Sequence, residues 1–310
     1  GISVAVLLWL GYHEAVELNS KVVIDWLGIL CLAVLLISLL LGIQALDTMP
    51  VFGTMLLVVA AVAGWLLIKQ EHRFSDPLIS PTMFKSKTFT IQILTATILS
   101  GVLIGYQMYF PIWLQSLYRV SATTAGLVVT SSSIMWLIAS FFVGKLIAKF
   151  VPKQIAIALI SLMLVSYVSL IFAGPTFPVW AFYVIAMING MGMGIVVSMN
   201  TILSQHLVPN EMVGSATSVL TLGRSLGQTV MAGAYGAILN LVIRLQLHGN
   251  VTFSQVNSVI SSKGAKVAVN QALIDPIILT ALHMVFVGVV TMLAVVLLIN
   301  VLDPNRRVIK

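Results

Sequence analysis

Polar positions in this chain come in short clusters separated by long apolar runs. Eight runs reach the ~20 residues a helix needs to cross hydrocarbon. They lie at about 26–46, 51–68, 90–114, 124–147, 155–172, 179–203, 213–242 and 276–301. An additional run, GISVAVLLWLG at 1–11, is about half that length and reads as the end of a truncated helix. The pattern predicts an all-α polytopic membrane protein. A loop at 12–25 leads to an extra two-helix hairpin at 26–68 and a polar linker at 69–89. A six-helix unit at 90–302 contains a long loop at 243–275, and a tail follows at 303–310. The long loop holds VTFSQVNSVISSKGAKVAVNQAL, compatible with a surface hairpin or an amphipathic helix. The N-V-T glycosylation pattern at Asn250 is too common to weigh.

Composition agrees. The 310 residues are 59% hydrophobic and 8% charged, against roughly 25% charged in soluble domains. Cys31 is the single cysteine, so no internal disulfide forms. The net charge of +7 points to topology rather than nucleic acid, because the basic residues segregate. With the 12–25 loop in the cytoplasm, that side holds Lys21, Lys69, Arg73, Lys85, Lys87, Lys145, Lys149, Lys153, Arg306, Arg307 and Lys310. The outer side holds only Arg119, Arg244, Lys263 and Lys266. The positive-inside rule selects this orientation and places the C-terminus in the cytoplasm.

One cation remains in the membrane. Arg224 sits near the middle of TSVLTLGRSLGQTVMAGAYGAIL, roughly 15 Å from the cytoplasmic end of its span. A guanidinium there costs at least ~2.5 kcal/mol on insertion scales, so its surroundings must offset the cost. At 100° per residue, Thr217, Thr221, Arg224, Gln228 and Tyr235 share one sector, while Gly223 and Gly227 form a small-residue seam on another. Two other spans repeat the layout. Tyr106, Tyr109 and Trp113 share a stripe beside the Gly101/Gly105 seam. Asn189 and Asn200 share a face with Phe182 and Met193, beside Gly190, Gly194 and Ser198. The polar and aromatic stripes suit a cavity for an amphipathic or apolar ligand, and the seams suit helix packing. Aromatic stripes also form interfacial belts, and buried amides also serve as interhelical glue, so both readings stand. His283, two turns inside the last span, is a candidate proton relay or a structural histidine. The nine acidic residues all fall in loops or at span edges. GMGMG at 190–194 lies inside a span with no preceding strand and is no phosphate loop. Metal-ligand, CxxC and nucleophile-elbow motifs are missing, and no enzyme is indicated.

The connection GKLIAKFVPKQ at 144–154 resembles the signature loop of the major facilitator superfamily, G-x-L-x-D-R-x-G-x-K. Gly144, Leu146, Lys149 and Lys153 fit, and Lys145 adds charge; Ala148 and Val151 depart from the acidic and second glycine positions. Its glycine is expected to permit close helix packing, and its lysines to hold an anionic membrane face. HRFSDPLISPTMFKSKTF resembles the linker of the fourteen-helix drug–proton antiporter subfamily, and KVVIDWLG the start of its seventh helix. LVPNEMVGSATSVLTLGRSLGQTVMAGAYGAIL resembles its thirteenth-helix region, where Asn210 and Glu211 are expected to cap the helix and complement its dipole.

The resemblance implies the C-terminal portion of a multidrug or lipophilic-compound exporter working by proton antiport and alternating access in the cell membrane. It implies no cofactor beyond the proton gradient. Its partners would be the bilayer, a small amphipathic substrate and an N-terminal six-helix domain. Two inverted three-helix repeats would form the C-terminal unit. Export of a lipid, siderophore or metabolite is the alternative within the same architecture, and a membrane-embedded enzyme or scaffold lies outside it.

Overall fold

In a computed structural model of the chain, residues 11, 25–46, 49–74, 82–247, 251–261 and 271–305 are described. The expected helix end at 1–10, the loop at 12–24, Asn250, and Lys21, Lys263, Lys266, Arg306, Arg307 and Lys310 lie outside them. The described residues form α-helices and two single 3-10 turns, with no strand. The helices are α1 (Trp26–Ala45), α2 (Pro50–Glu71), α3 (Lys87–Leu117), α4 (Ala122–Ser140), α5 (Val143–Lys149), α6 (Pro152–Ile171), α7 (Val179–His206), α8 (Val213–Gln246), α9 (Phe253–Ser261) and α10 (Gln271–Val301). Eight are long and apolar enough to cross a membrane. The fold is that of an all-α polytopic membrane protein.

Local chemistry sets the boundaries. Asp25 caps α1 by accepting from the Gly28 amide at 2.8 Å, and its same oxygen accepts from Gln70 Nε2 at 3.0 Å. That second bond ties the start of α1 to the end of α2. Ser86 and Ser121 cap α3 and α4. Arg119, just past α3, takes the left-handed conformation at φ 55°, and the Val120 amide reaches back to Leu114 O at 3.4 Å. Thr252 and Gln255 form a reciprocal capping box at the start of α9, which buries Val256 and Val259 over the ends of α3, α8 and α10.

Two expectations fail here. The apolar run at 124–147 is not one helix: the chain turns at Phe141 and Phe142, and α5 is a separate short helix. Continuous hydrophobicity hid the break. Asn210 does not cap α8; it opens a 3-10 turn, and α8 begins after Met212 with no side-chain cap.

Helices of the six-helix unit interlock in a crossed pattern. α3 packs on α8, α4 on α7, and α6 on α10. Taken as α3–α4–α6 and α7–α8–α10, the first helix of each set meets the second of the other, and the third meets the third. Glycines permit the crossings. A Cβ on Gly190 would overlap the Ser132 carbonyl oxygen, and one on Gly194 would lie 2.6 Å from that of Trp136. A Cβ on Gly227 would overlap the Thr97 carbonyl oxygen, and one on Gly223 would lie 2.6 Å from Thr97 Oγ1. Gly101 and Gly105 receive Met231 and Tyr235 from α8. With no side chain between them, backbones approach closely enough for dispersion to hold helices that lipid would otherwise solvate.

Candidate functional site

Arg224 projects from α8 onto α7. Its Nη2 donates to Val197 O at 3.0 Å and Thr201 Oγ1 at 2.8 Å. Two turns toward the start of α8, Gln205 Nε2 of α7 donates to Thr217 Oγ1 at 3.1 Å. Thr221 is exposed, and Thr217, Arg224 and Gln228 are half-buried. Nε of Arg224 is buried without a partner among the described residues. The guanidinium is therefore anchored by one nitrogen, with donor capacity left over beside an open polar strip. Two charge-assisted bonds offset part of the cost of placing it at this depth.

Other members of the predicted cavity set lie elsewhere. Tyr106 and Tyr109 are 1% and 2% exposed. The Tyr106 hydroxyl donates to Val128 O at 3.2 Å, and Tyr109 meets the Tyr235 ring edge-on. Trp113 packs against Phe182, Phe286 and His283. These aromatics pack inside the unit, Tyr106 against α4, Tyr109 against α8, and Trp113 against α7 and α10. Asn189 is wholly buried too, accepting from the Tyr167 hydroxyl at 3.0 Å and donating to Ser132 Oγ at 3.3 Å. It links α4, α6 and α7 as glue. Asn200 is equally buried, and neither of its amide atoms has a partner among the described residues. His283 bonds through Nε2 to Ala173 O at 2.8 Å, in the connection between α6 and α7.

The signature-like connection splits by role. Lys145 and Lys149 are exposed on α5. Lys153 reaches the last helix, its Nζ donating to Val301 O and Asp303 O at 2.7 Å each. A cation there satisfies terminal carbonyls and complements the negative end of the α10 dipole. Gly144 is exposed, and a Cβ on it would meet nothing within 4 Å, so the expected close helix packing at this glycine is absent. The short α5 turns it away from its neighbours.

Beside Lys153 the structure reveals a polar clamp that the sequence did not announce. Asp303 is only 2% exposed; it accepts from Thr88 Oγ1 at 3.0 Å and from Gln92 Nε2 at 3.2 Å. Asn300 donates to Thr95 Oγ1 at 2.8 Å. The start of α3, the end of α10 and the first turn of α6 thus form one hydrogen-bonded node at the lysine-rich end. Asp303 does lie at a span edge, as its position implied, but it is not solvated. At the opposite end Arg119 pairs with Asp275 at 2.6 Å, and the Tyr118 hydroxyl donates to Phe177 O at 2.7 Å.

Known proteins resemble this chain in sequence and in fold. The chain is 24% identical over 262 residues to the multidrug efflux pump SdrM of Staphylococcus aureus (strain N315), covering 83% of this chain and 58% of that protein. It is 28% identical over 242 residues to multidrug resistance protein 3 of Bacillus subtilis (strain 168), covering 76% and 47%. The chain spans about half the length of the curated relatives it matches. Among solved structures, a bacterial homologue of the human lysosomal transporter Spinster, inward-facing and occupied, superposes with a TM-score of 0.52 at 16% identity. That match covers 82% of this chain and 56% of the other, and shows the fold. The family profile described as Major Facilitator Superfamily matches residues 23–232, and with the crossed six-helix unit in place, the chain belongs to that superfamily.

Proposed function

We propose that the chain is the C-terminal part of a secondary transporter that exports multidrug-type or lipophilic compounds by proton antiport. The lysine-rich end faces the cytoplasm, and substrate moves through a cavity shared with an N-terminal six-helix domain by alternating access. The multidrug efflux relatives support the substrate class, and the fourteen-helix resemblance supports the coupling. The observation that carries the reading is Arg224, held by α7 beside an open strip of Thr217, Thr221 and Gln228. A cation kept at that depth with unspent donors suits a carboxylate, an anionic group or ordered water in the cavity. Facing a carboxylate of the other domain, it favours the ionised form and tunes when that group takes up a proton.

In the full-length protein, Arg224→Ala lowers proton-coupled dye efflux by about tenfold or more, the scale of losing one charge-assisted interaction. Arg224→Lys retains charge without the fork and restores only part of the rate. Efflux unchanged from pH 6 to 8 in both variants removes Arg224 from the mechanism.

A further inference from the structure

The extra hairpin does more than lie beside the six-helix unit: with α8 it borders a cavity that is open on one side. α1 meets α8 at Gly233, where a Cβ would overlap the Ile43 side chain. Next to that contact is a cavity of about 580 Å³, bounded by Leu40, Ile43 and Gln44 of α1, Ile104 of α3, and Gln228 and Gly236 of α8. Its size is in the range that accepts a small organic ligand. At Gly236 a Cβ would meet nothing within 4 Å, so this glycine forms open floor, whereas Gly233 is a packing contact.

The lining states what the ligand must be. Among the described residues no ionisable side chain borders the cavity, so a charged group would find no partner among them. Gln44 and Gln228 do border it, and neither side chain hydrogen-bonds to another described residue. Ile43 sits at the level of Gly233, and Gln228 lies five residues away along α8, or about 7.5 Å. The two carboxamides therefore bracket the cavity along the helix axis. Each donates and accepts, and an amide left unpaired among acyl chains is costly.

We propose that this cavity binds a neutral amphiphile: an acyl-type chain against Leu40, Ile43 and Ile104, with ester or hydroxyl oxygens read by Gln44 and Gln228. The site is built by the hairpin and shares Gln228 with the strip beside Arg224, and its test is separate from the transport reading because occupancy requires no gradient.

Full-length protein in phosphatidylcholine nanodiscs, exposed to a monoacylglycerol with a diazirine in its chain, tests this by photolabelling and peptide mapping. Label is expected to concentrate in peptides covering 40–46 and 228–237. Gly236→Phe fills the open floor and lowers that labelling at least fivefold with unchanged thermal stability. Gln228→Leu lowers it about fivefold, the effect of one lost hydrogen bond. Met55→Phe, an equal bulk on the exposed side of α2, changes nothing. Label spread evenly over exposed faces of the hairpin, or insensitive to both Gly236→Phe and Gln228→Leu, overturns the site and leaves bulk lipid or the rest of the protein as the occupant. Displacement of the probe by excess unlabelled monoacylglycerol alone assigns the site to lipid; displacement also by an uncharged lipophilic solute assigns it to the shared chemistry. Displacement by a lipophilic cation as effective as by a neutral solute overturns the assignment of a neutral ligand.

Discussion

The α1–α2 hairpin and the α4–α8 pair are both poorly buried, for opposite reasons. α1 and α2 rank among the most apolar spans, and their bare surface is Trp26, Leu30, Ile37, Val51, Met55 and Trp65. α4 and α8 are the two least apolar spans, and their exposed positions include Thr130 and Ser133 on one, Ser218, Thr221 and Ser225 on the other. High hydropathy with low burial describes a helix whose outside is lipid. Low hydropathy with low burial describes a helix with a face meant for water or for more protein. Burial alone does not separate these cases. In a membrane, the chemistry of the exposed side does.

Steric interlocking should dominate any attempt to break this contrast. Gly227→Leu drives a side chain into the Thr97 carbonyl, and a loss of at least ~3 kcal/mol is expected, read as collapse of the thermal transition in detergent. A contrast in solvent access comes next. In a Cys31→Ala background, cysteines at Thr221 and Ser218 react with a hydrophilic thiol reagent on the order of tenfold faster than one at Val58, exposed on the apolar hairpin. Equal rates would erase the distinction between the two kinds of exposure. Lys153→Ala removes two bonds to the end of α10 and lowers stability by about 1–2 kcal/mol, with Lys153→Arg restoring most of it. The smallest effect belongs to the hairpin surface, where Ile37→Val shifts stability by under ~0.5 kcal/mol.

Helix existence was legible in the chain because apolar length is a one-dimensional signal, and the seams at Gly190/Gly194 and Gly223/Gly227 were legible because spacing of four marks one helix face. Neighbours were not. Projecting α8 placed Arg224 with Thr217 and Gln228, but nothing in that projection named Val197 and Thr201 as the groups that hold it. The same limit left Tyr106 and Tyr109 open between two readings: a shared face says which residues look the same way, not whether they look at water or at Phe110 and Tyr235. The break after Ser140 escaped because its residues, Phe141 and Phe142, are as apolar as the helix they end. The amphipathic α9 was foreseeable, since T-F-S-Q carries a capping box directly ahead of its apolar positions.

The clamp on Asp303 has a consequence for biosynthesis. Thr88 and Asp303 stand 215 positions apart, and Asn300 and Thr95 stand 205 apart. A chain threaded into the bilayer from its N-terminus therefore inserts five long helices of the unit before the groups that satisfy Gln92 and Thr95 have been translated. Until the final span arrives, those side chains wait without their native partners, and closure of the unit is the last event of its assembly rather than its nucleus.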